Sequence, residues 1–173
     1  MVGKKILPSL TPEQVDFVIE KAECVRDKAI ISLFADSGLR LAELASINPQ
    51  NIDWGHRLIK VRCKGNKEGL APFGEGTETL LKGWLAECGP SNKLWDIESR
   101  GIAIMLARLR VRTGLPCNPH TFRRTFACLL RKAGVDTMTI KDLGRWESLE
   151  MVQRYTRSVT FEDSLKFYKA PLS

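Results

Sequence analysis

The chain has 173 residues, 43% hydrophobic and 27% charged, the composition of one globular domain long enough to bury a single core. Its apolar runs are short and interrupted by charge, and the N-terminus carries no signal-peptide pattern, so no membrane span is expected and the expected location is cytoplasmic. Lys and Arg number 27 against 20 Asp and Glu, a formal charge of +7, which leaves nucleic acid and acidic membrane as the favoured partner classes.

Residues 1–10 read as an arm or linker, basic at Lys4 and Lys5 and closed by Pro8. Thr11-Pro12-Glu13-Gln14 then has the form of a helix start: a Thr cap, Pro at the first helical position and Gln three residues after the cap. Val15, Val18, Ile19 and Ala22 follow at helical spacing. A second helix is expected over 25–37, broken by Gly38, and a short third over about 40–47, before Pro49. From 52 to 73 the pattern changes: 58–63 carries β-branched residues in partial alternation, Lys64-Gly65-Asn66-Lys67 supplies turn residues, and 70–73 can pair back. Helices resume near 77–88 and 99–113, each ended by glycine.

The next helix has the clearest pattern, with Phe122, Phe126, Leu129, Leu130 and Ala133 on one apolar stripe and Gly134 at its end. His120 and Arg123, three apart, then project from another face. Short helices are expected at 139–143 and 149–157, and an amphipathic one at 161–169. The expected fold class is mainly α with a small antiparallel β-sheet (α+β), with 11–173 as one domain.

The positive charge is clustered. Between Ser99 and Val135 there is no Asp or Glu, while Arg100, Arg108, Arg110, Arg112, Arg123, Arg124, Arg131 and Lys132 fall there. A second basic group is Arg57, Lys60, Arg62, Lys64 and Lys67. A charge run is ordinarily a solvated face, but two flanking the His-Arg pair favour a phosphate track. The five cysteines, Cys24, Cys63, Cys88, Cys117 and Cys128, form no C-x-x-C pair. Neither a metal site nor a disulfide framework is expected, and the thiols are expected to be reduced and mostly core filling.

Four polar clusters are more than a core requires: Gly38-Leu-Arg40-x-x-Glu43-Leu44, Lys64-Gly65-Asn66-Lys67-Glu68, His120-x-x-Arg123, and Leu143-Gly-x-Trp146 followed by Tyr155. Together they hold a phenol, two separated guanidinium groups, an ammonium, an imidazole and an indole N–H, the parts needed to attack a phosphodiester without a metal. In this order, over residues 10–169, they resemble the catalytic domain of the tyrosine recombinase (phage integrase) family.

That resemblance implies duplex DNA as partner and a set of roles. Arg40 and Arg123 would grip the non-bridging oxygens by bidentate hydrogen bonds. Tyr155 would attack the phosphorus to form a 3′-phosphotyrosine, and Lys64, with Lys67 as its rival, would protonate the leaving 5′-oxygen. His120 and Trp146 complete the catalytic set; the indole can donate but not exchange a proton at neutral pH. Glu43 would orient Arg40 or Lys64, while Arg62, Lys67 and Arg124 would contact DNA. No cofactor is implied, and the active assembly would be a homotetramer on two duplexes, with a monomer in isolation. The family's N-terminal core-binding domain is absent, so the chain starts at what resembles the connecting linker. Two other readings remain at this point. One is a helix-turn-helix regulator built on 139–155, the other a type IB topoisomerase-like nicking and resealing enzyme.

Overall fold

The computed structural model describes Gly3 and residues 5–172; Lys4 of the expected arm lies outside the described residues. Helix α1 (Pro12–Lys21) starts with the expected capping box, the Thr11 hydroxyl accepting from the Gln14 N–H and the Gln14 amide oxygen from the Thr11 N–H. Helix α2 (Val25–Ser37) follows, then α3 (Leu41–Ala45), strands β1 (Ile52–Asp53), β2 (Leu58–Arg62) and β3 (Glu68–Pro72), and helices α4 (Glu75–Cys88) and α5 (Ser99–Thr113). The chain ends with α6 (Pro119–Lys132), α7 (Thr137–Leu143), α8 (Leu149–Tyr155) and α9 (Phe161–Leu165). The fold is thus mainly helical with one small antiparallel sheet. Among the described residues no helix is long and apolar enough to cross a membrane.

Helix α2 is central, packing against α1, α4 and α6, and it buries Ala29, Ile30, Ile31, Leu33 and Phe34 around its circumference. A helix apolar on all sides belongs inside a bundle. Phe34 stacks on Phe122 of α6 with ring centroids 5.9 Å apart, which ties the two inner helices together. From Thr121 to Cys128 every residue of α6 is buried, so the expected single stripe is in fact a helix clasped on both sides. Phe122 belongs to the main core. One turn on, Phe126 belongs to a second cluster with Ile140, Trp146 and Val152 from the C-terminal helices. Leu129 and Leu130 are only half-buried and Ala133 is exposed.

The sheet has the order β1-β2-β3, both pairs antiparallel, with Arg62 opposite Glu68 at the tip end of the hairpin. The turn is Lys64–Asn66, closed by the Cys63 N–H donating to Lys67 O at 2.6 Å, with Gly65 and Asn66 at left-handed φ of 75° and 60°. Strand β1 is two residues long, too short for alternation to reveal it in the sequence.

Several expectations are corrected. The N-terminal arm is docked where it meets α1: Leu10 is buried, its N–H donates to Thr125 Oγ1 at 2.9 Å, and Pro8 O accepts from Arg124. The last helix is shorter than expected because it ends at Leu165, after which Phe167 lies against Gly134. Only Cys117 and Cys128 are buried, while Cys24 and Cys88 are exposed and Cys63 is half-buried, so core filling accounts for the minority of the thiols.

Gly38, which ends α2, carries φ of 62°, and a Cβ there would lie 2.6 Å from Phe126 Cδ1. Gly38→Ala combines left-handed strain with overpacking and is expected to lower unfolding free energy by roughly 2–4 kcal/mol, read from the urea midpoint at unchanged m-value.

Candidate active site

The turn at Gly38 brings Arg40 to the start of α3 and aims the Gly38 carbonyl at α6, where it accepts from Arg123 Nη1. Arg123 is 3% exposed. Its guanidinium carbon sits 4.2 Å from the centroid of the Trp146 ring, close enough for a cation–π contact in a dry setting. The second nitrogen, Nη2, is buried and has no hydrogen-bond partner. Burial, then the charges of Arg40 and Arg145, push the Arg123 pKa down to about 10. The group remains a cation at neutral pH, held where a nearby negative charge would be welcome.

Trp146 is itself buried, stacked on Phe126 at 6.2 Å and tilted against Tyr155 at 5.7 Å. Gly144 makes this possible: a Cβ there would fall 1.9 Å from Trp146 Cζ3. The indole Nε1 is a second buried donor without a partner. Tyr155 is the last residue of α8 and half-buried, with its ring on Trp146. Its main-chain carbonyl accepts from Cys128 Sγ at 3.1 Å, which moors the end of α8 to α6.

Glu43 is 4% exposed and lies between two arginines, 3.5 Å from Arg40 Nη1 and 3.7 Å from Arg145 Nε. Its Oε1 also accepts from the Arg40 N–H at 3.0 Å. Glu43 thus lies against Arg40, and its second partner is Arg145 rather than Lys64. Arg145 was missed by sequence reasoning. Its φ is 57°, and its side chain is buried against Ser37, Leu70 and Leu143. Burial pushes its pKa down and Glu43 partly restores it.

Two clefts meet at Arg40. One of about 280 Å³ is lined by Cys63, Lys64, Lys67, Lys141, Arg145 and Trp146. The other is lined by Arg40, Pro119, His120 and Arg123. The structure thus gathers Arg40, Lys64, Lys67, His120, Arg123, Trp146 and Tyr155 on one side of the molecule. Lys64, Lys67 and His120 are exposed and form no ion pair among the described residues. His120 and Arg123 share a cleft but not an environment, since one is exposed and the other sealed.

Two residues expected to contact DNA lie outside these two clefts. Arg62 is exposed on the sheet and lines a neighbouring cleft with Glu43, Ser46, Asn48 and Lys60. Arg124 is 8% exposed, with Nε donating to Pro8 O at 3.0 Å and Nη2 to Thr121 Oγ1 at 3.3 Å, so it ties down the N-terminal segment. The acid-free basic run is likewise split. Arg112 bonds Lys21 O and Glu23, and Arg131 bonds Ser164, so the run is no single phosphate track. Tyr168, the other tyrosine, is 64% exposed in the C-terminal segment.

Comparison with known proteins agrees with this geometry: the phage integrase family profile matches residues 8–161. The chain belongs to the phage integrase family. Tyrosine recombinase XerA of Saccharolobus solfataricus is 31% identical over 170 residues, covering 98% of this chain and 58% of that protein. Tyrosine recombinase XerC of Syntrophus aciditrophicus is 34% identical, over 76% of this chain and 49% of its own. This integrase-family chain therefore spans about half to three-fifths of the length of these curated relatives. Among solved structures, XerA recombinase superposes with a TM-score of 0.84 at 22% identity, over 95% of this chain and 65% of that one. XerH recombinase bound to a palindromic difH substrate, a post-cleavage complex, superposes with a TM-score of 0.77 at 21% identity, over 90% and 51%.

Arg123 Nη2 and Trp146 Nε1, like Arg145 Nε, are buried donors without hydrogen-bond partners, and an oxyanion that reaches the Arg123 guanidinium is expected to bind there. Sulfate, whose own charge is constant over this pH range, is expected to raise the melting temperature of the wild-type chain, by up to about 3 kcal/mol of stability at a hundredfold excess over Kd. The rise is expected to vanish in Arg123→Met. Because the free-state pKa of Arg123 is about 10, anion affinity is constant through neutral pH and falls as pH rises past that value. Calorimetric scans across pH and anion concentration check both.

Proposed function

We propose that this chain is the catalytic portion of a site-specific DNA recombinase that cuts and rejoins duplex DNA through a 3′-phosphotyrosine, needing neither metal nor ATP. The observation that carries the reading is the run of contacts from Arg123 over the Trp146 ring at 4.2 Å to Trp146 against the Tyr155 ring at 5.7 Å, with Arg123 Nη2 and Trp146 Nε1 both buried and without hydrogen-bond partners. A scissile phosphate seated there satisfies both, with Arg40 completing the grip on its non-bridging oxygens.

In this reading the Tyr155 Oη–P bond forms as the P–O5′ bond breaks. The phenolic proton passes to solvent or to His120, and Lys64 supplies a proton to the departing O5′. Rejoining reverses each step, so the bond energy is conserved in the phosphotyrosine. The fixed cations supply the positive field, and their charge needs no rearrangement at the moment of reaction. Lys64 and Lys67 both line the cleft; Lys64 stands at the start of the turn, next to the half-buried Cys63, and is preferred as the donor. Exchange between two duplexes would take a homotetramer, as the family resemblance implies. A pure helix-turn-helix regulator is disfavoured because it gives no role to Arg123 Nη2 and Trp146 Nε1, which are buried without hydrogen-bond partners.

A pool of nicked duplexes of random sequence traps the covalent species, since loss of a short 3′ fragment blocks rejoining. The wild-type chain is expected to form a DNA adduct that Tyr155→Phe abolishes while DNA binding persists within a few fold. Binding without any adduct from the wild-type chain would return the reading to a regulator. Strand exchange between two labelled duplexes separates recombinase from a topoisomerase-like enzyme. Lys67→Ala is expected to reduce the slope of log affinity against log salt by about 0.9. Arg124→Ala is expected to leave that slope unchanged and lower the melting temperature, because its guanidinium serves Pro8 and Thr121.

A further inference from the structure

We propose that Arg145 is a positioning residue that fixes the Lys64 hairpin relative to the Trp146–Tyr155 segment and so sets where the Lys64 ammonium meets the leaving oxygen. The inference rests on the reading of Lys64 as proton donor given above.

Arg145 is the point at which four separate parts of the site converge. Its Nη1 donates to Leu70 O in β3 at 3.3 Å and to Leu143 O at the end of α7 at 2.8 Å. Nη2 donates to Ser37 O at the end of α2 at 3.1 Å, and Nε faces Glu43 Oε2 at 3.7 Å. Three of its five N–H groups thus serve main-chain carbonyls on three elements, and a fourth faces the carboxylate that also holds Arg40. The Nε–H lies too far from Glu43 Oε2 for a hydrogen bond, so it is the three carbonyl contacts that make the group a strut between α2, β3 and α7.

The strut reaches the hairpin by packing as well as by hydrogen bonding. Its aliphatic stem lies under Gly69, where a Cβ would come within 2.9 Å of Arg145 Cδ and 2.8 Å of Cys63 Sγ. Cys63 precedes Lys64, and Gly69 pairs with Val61 across the hairpin, so both chains leading to the exposed Lys64 turn rest on the Arg145 side chain. At its other end the residue is the immediate neighbour of Trp146, in a backbone of φ 57° that turns the chain from α7 toward that indole. A planar fork meets three carbonyls in fixed directions; a lysine at this position reaches at most part of that set. Displacing a reacting group by an ångström costs on the order of a hundredfold in rate.

The test separates delivery of the proton from every other contribution. A nicked duplex selected by the wild-type chain from the random pool is made in two forms, with oxygen or with sulfur bridging to the 5′ carbon at the scissile phosphate. With sulfur, the Tyr155 Oη–P bond forms, the P–S bond breaks, and a thiolate leaves without needing a proton. Lys64→Ala and Arg145→Lys are both expected to cleave the oxygen duplex about a hundredfold more slowly than wild type, and the sulfur duplex at within a few fold of wild type. Arg123→Lys, lacking a phosphate grip, is expected to be slow on both. Gly69→Ala in a Cys63→Ala background, compared with Cys63→Ala alone so that the clash with Cys63 Sγ is removed, crowds the Arg145 stem while keeping all its donors and carries the test if Arg145→Lys fails to fold; it is expected to slow the oxygen duplex selectively. Equal slowing on oxygen and sulfur, or wild-type rates on oxygen, overturns the positioning role. If wild type forms adducts on both duplexes and Lys64→Ala is equally slow on both, the assignment of Lys64 fails, and the inference fails with it.

Discussion

A guanidinium sealed between two hydrophobic clusters is the constraint around which the rest of this molecule is arranged. Arg123 lies on α6 between Phe122, which faces the main core, and Phe126, which faces the C-terminal cluster. A cation can be held there only if its surroundings offset the loss of water. The Gly38 carbonyl and the face of Trp146 do so in part. The remainder is left open at Nη2, and the stress on the charge becomes the driving force for taking up an anion. The left-handed turn at Gly38 presents the carbonyl that Arg123 uses, and the bare Cα at Gly144 admits the indole that covers it.

The charges around it are organised as a set. Arg40, Arg123 and Arg145 are balanced by the single buried carboxylate of Glu43, so the site carries an excess of positive charge before any DNA arrives. In a region that excludes water, an excess of this kind is felt strongly. Lys64 and His120 lie exposed at the rim of the two clefts, while Arg123 and Glu43 are sealed inside.

Much of the fold was legible because its signals are local. The Thr11–Gln14 capping box, the Gly65-Asn66 hairpin turn and the glycines after α2 and α5 each act within a few residues of themselves. The candidate set came from a different kind of signal: motif order and resemblance nominated Arg40, Lys64, His120, Arg123, Trp146 and Tyr155, and the fold places these residues on one side of the molecule. What escaped was set by contacts distant in sequence. Arg124 looked like a DNA contact until its bond to Pro8, 116 residues away, was seen. Arg145 bonds Leu70 and Ser37 from 75 and 108 residues away, and no periodicity or spacing in its own neighbourhood announces that. Its one local clue, a positive φ outside glycine, is invisible in a sequence.

That clue has a consequence for how the chain can be altered. A left-handed residue with a side chain costs about 1 kcal/mol relative to glycine, so part of the stability of this fold is spent at a corner where the cheapest repair would be to erase the side chain. Selection for heat resistance alone pulls in that direction. Any stabilising campaign on this scaffold should therefore hold the corner fixed, or it will breed sturdier molecules whose moving parts no longer line up.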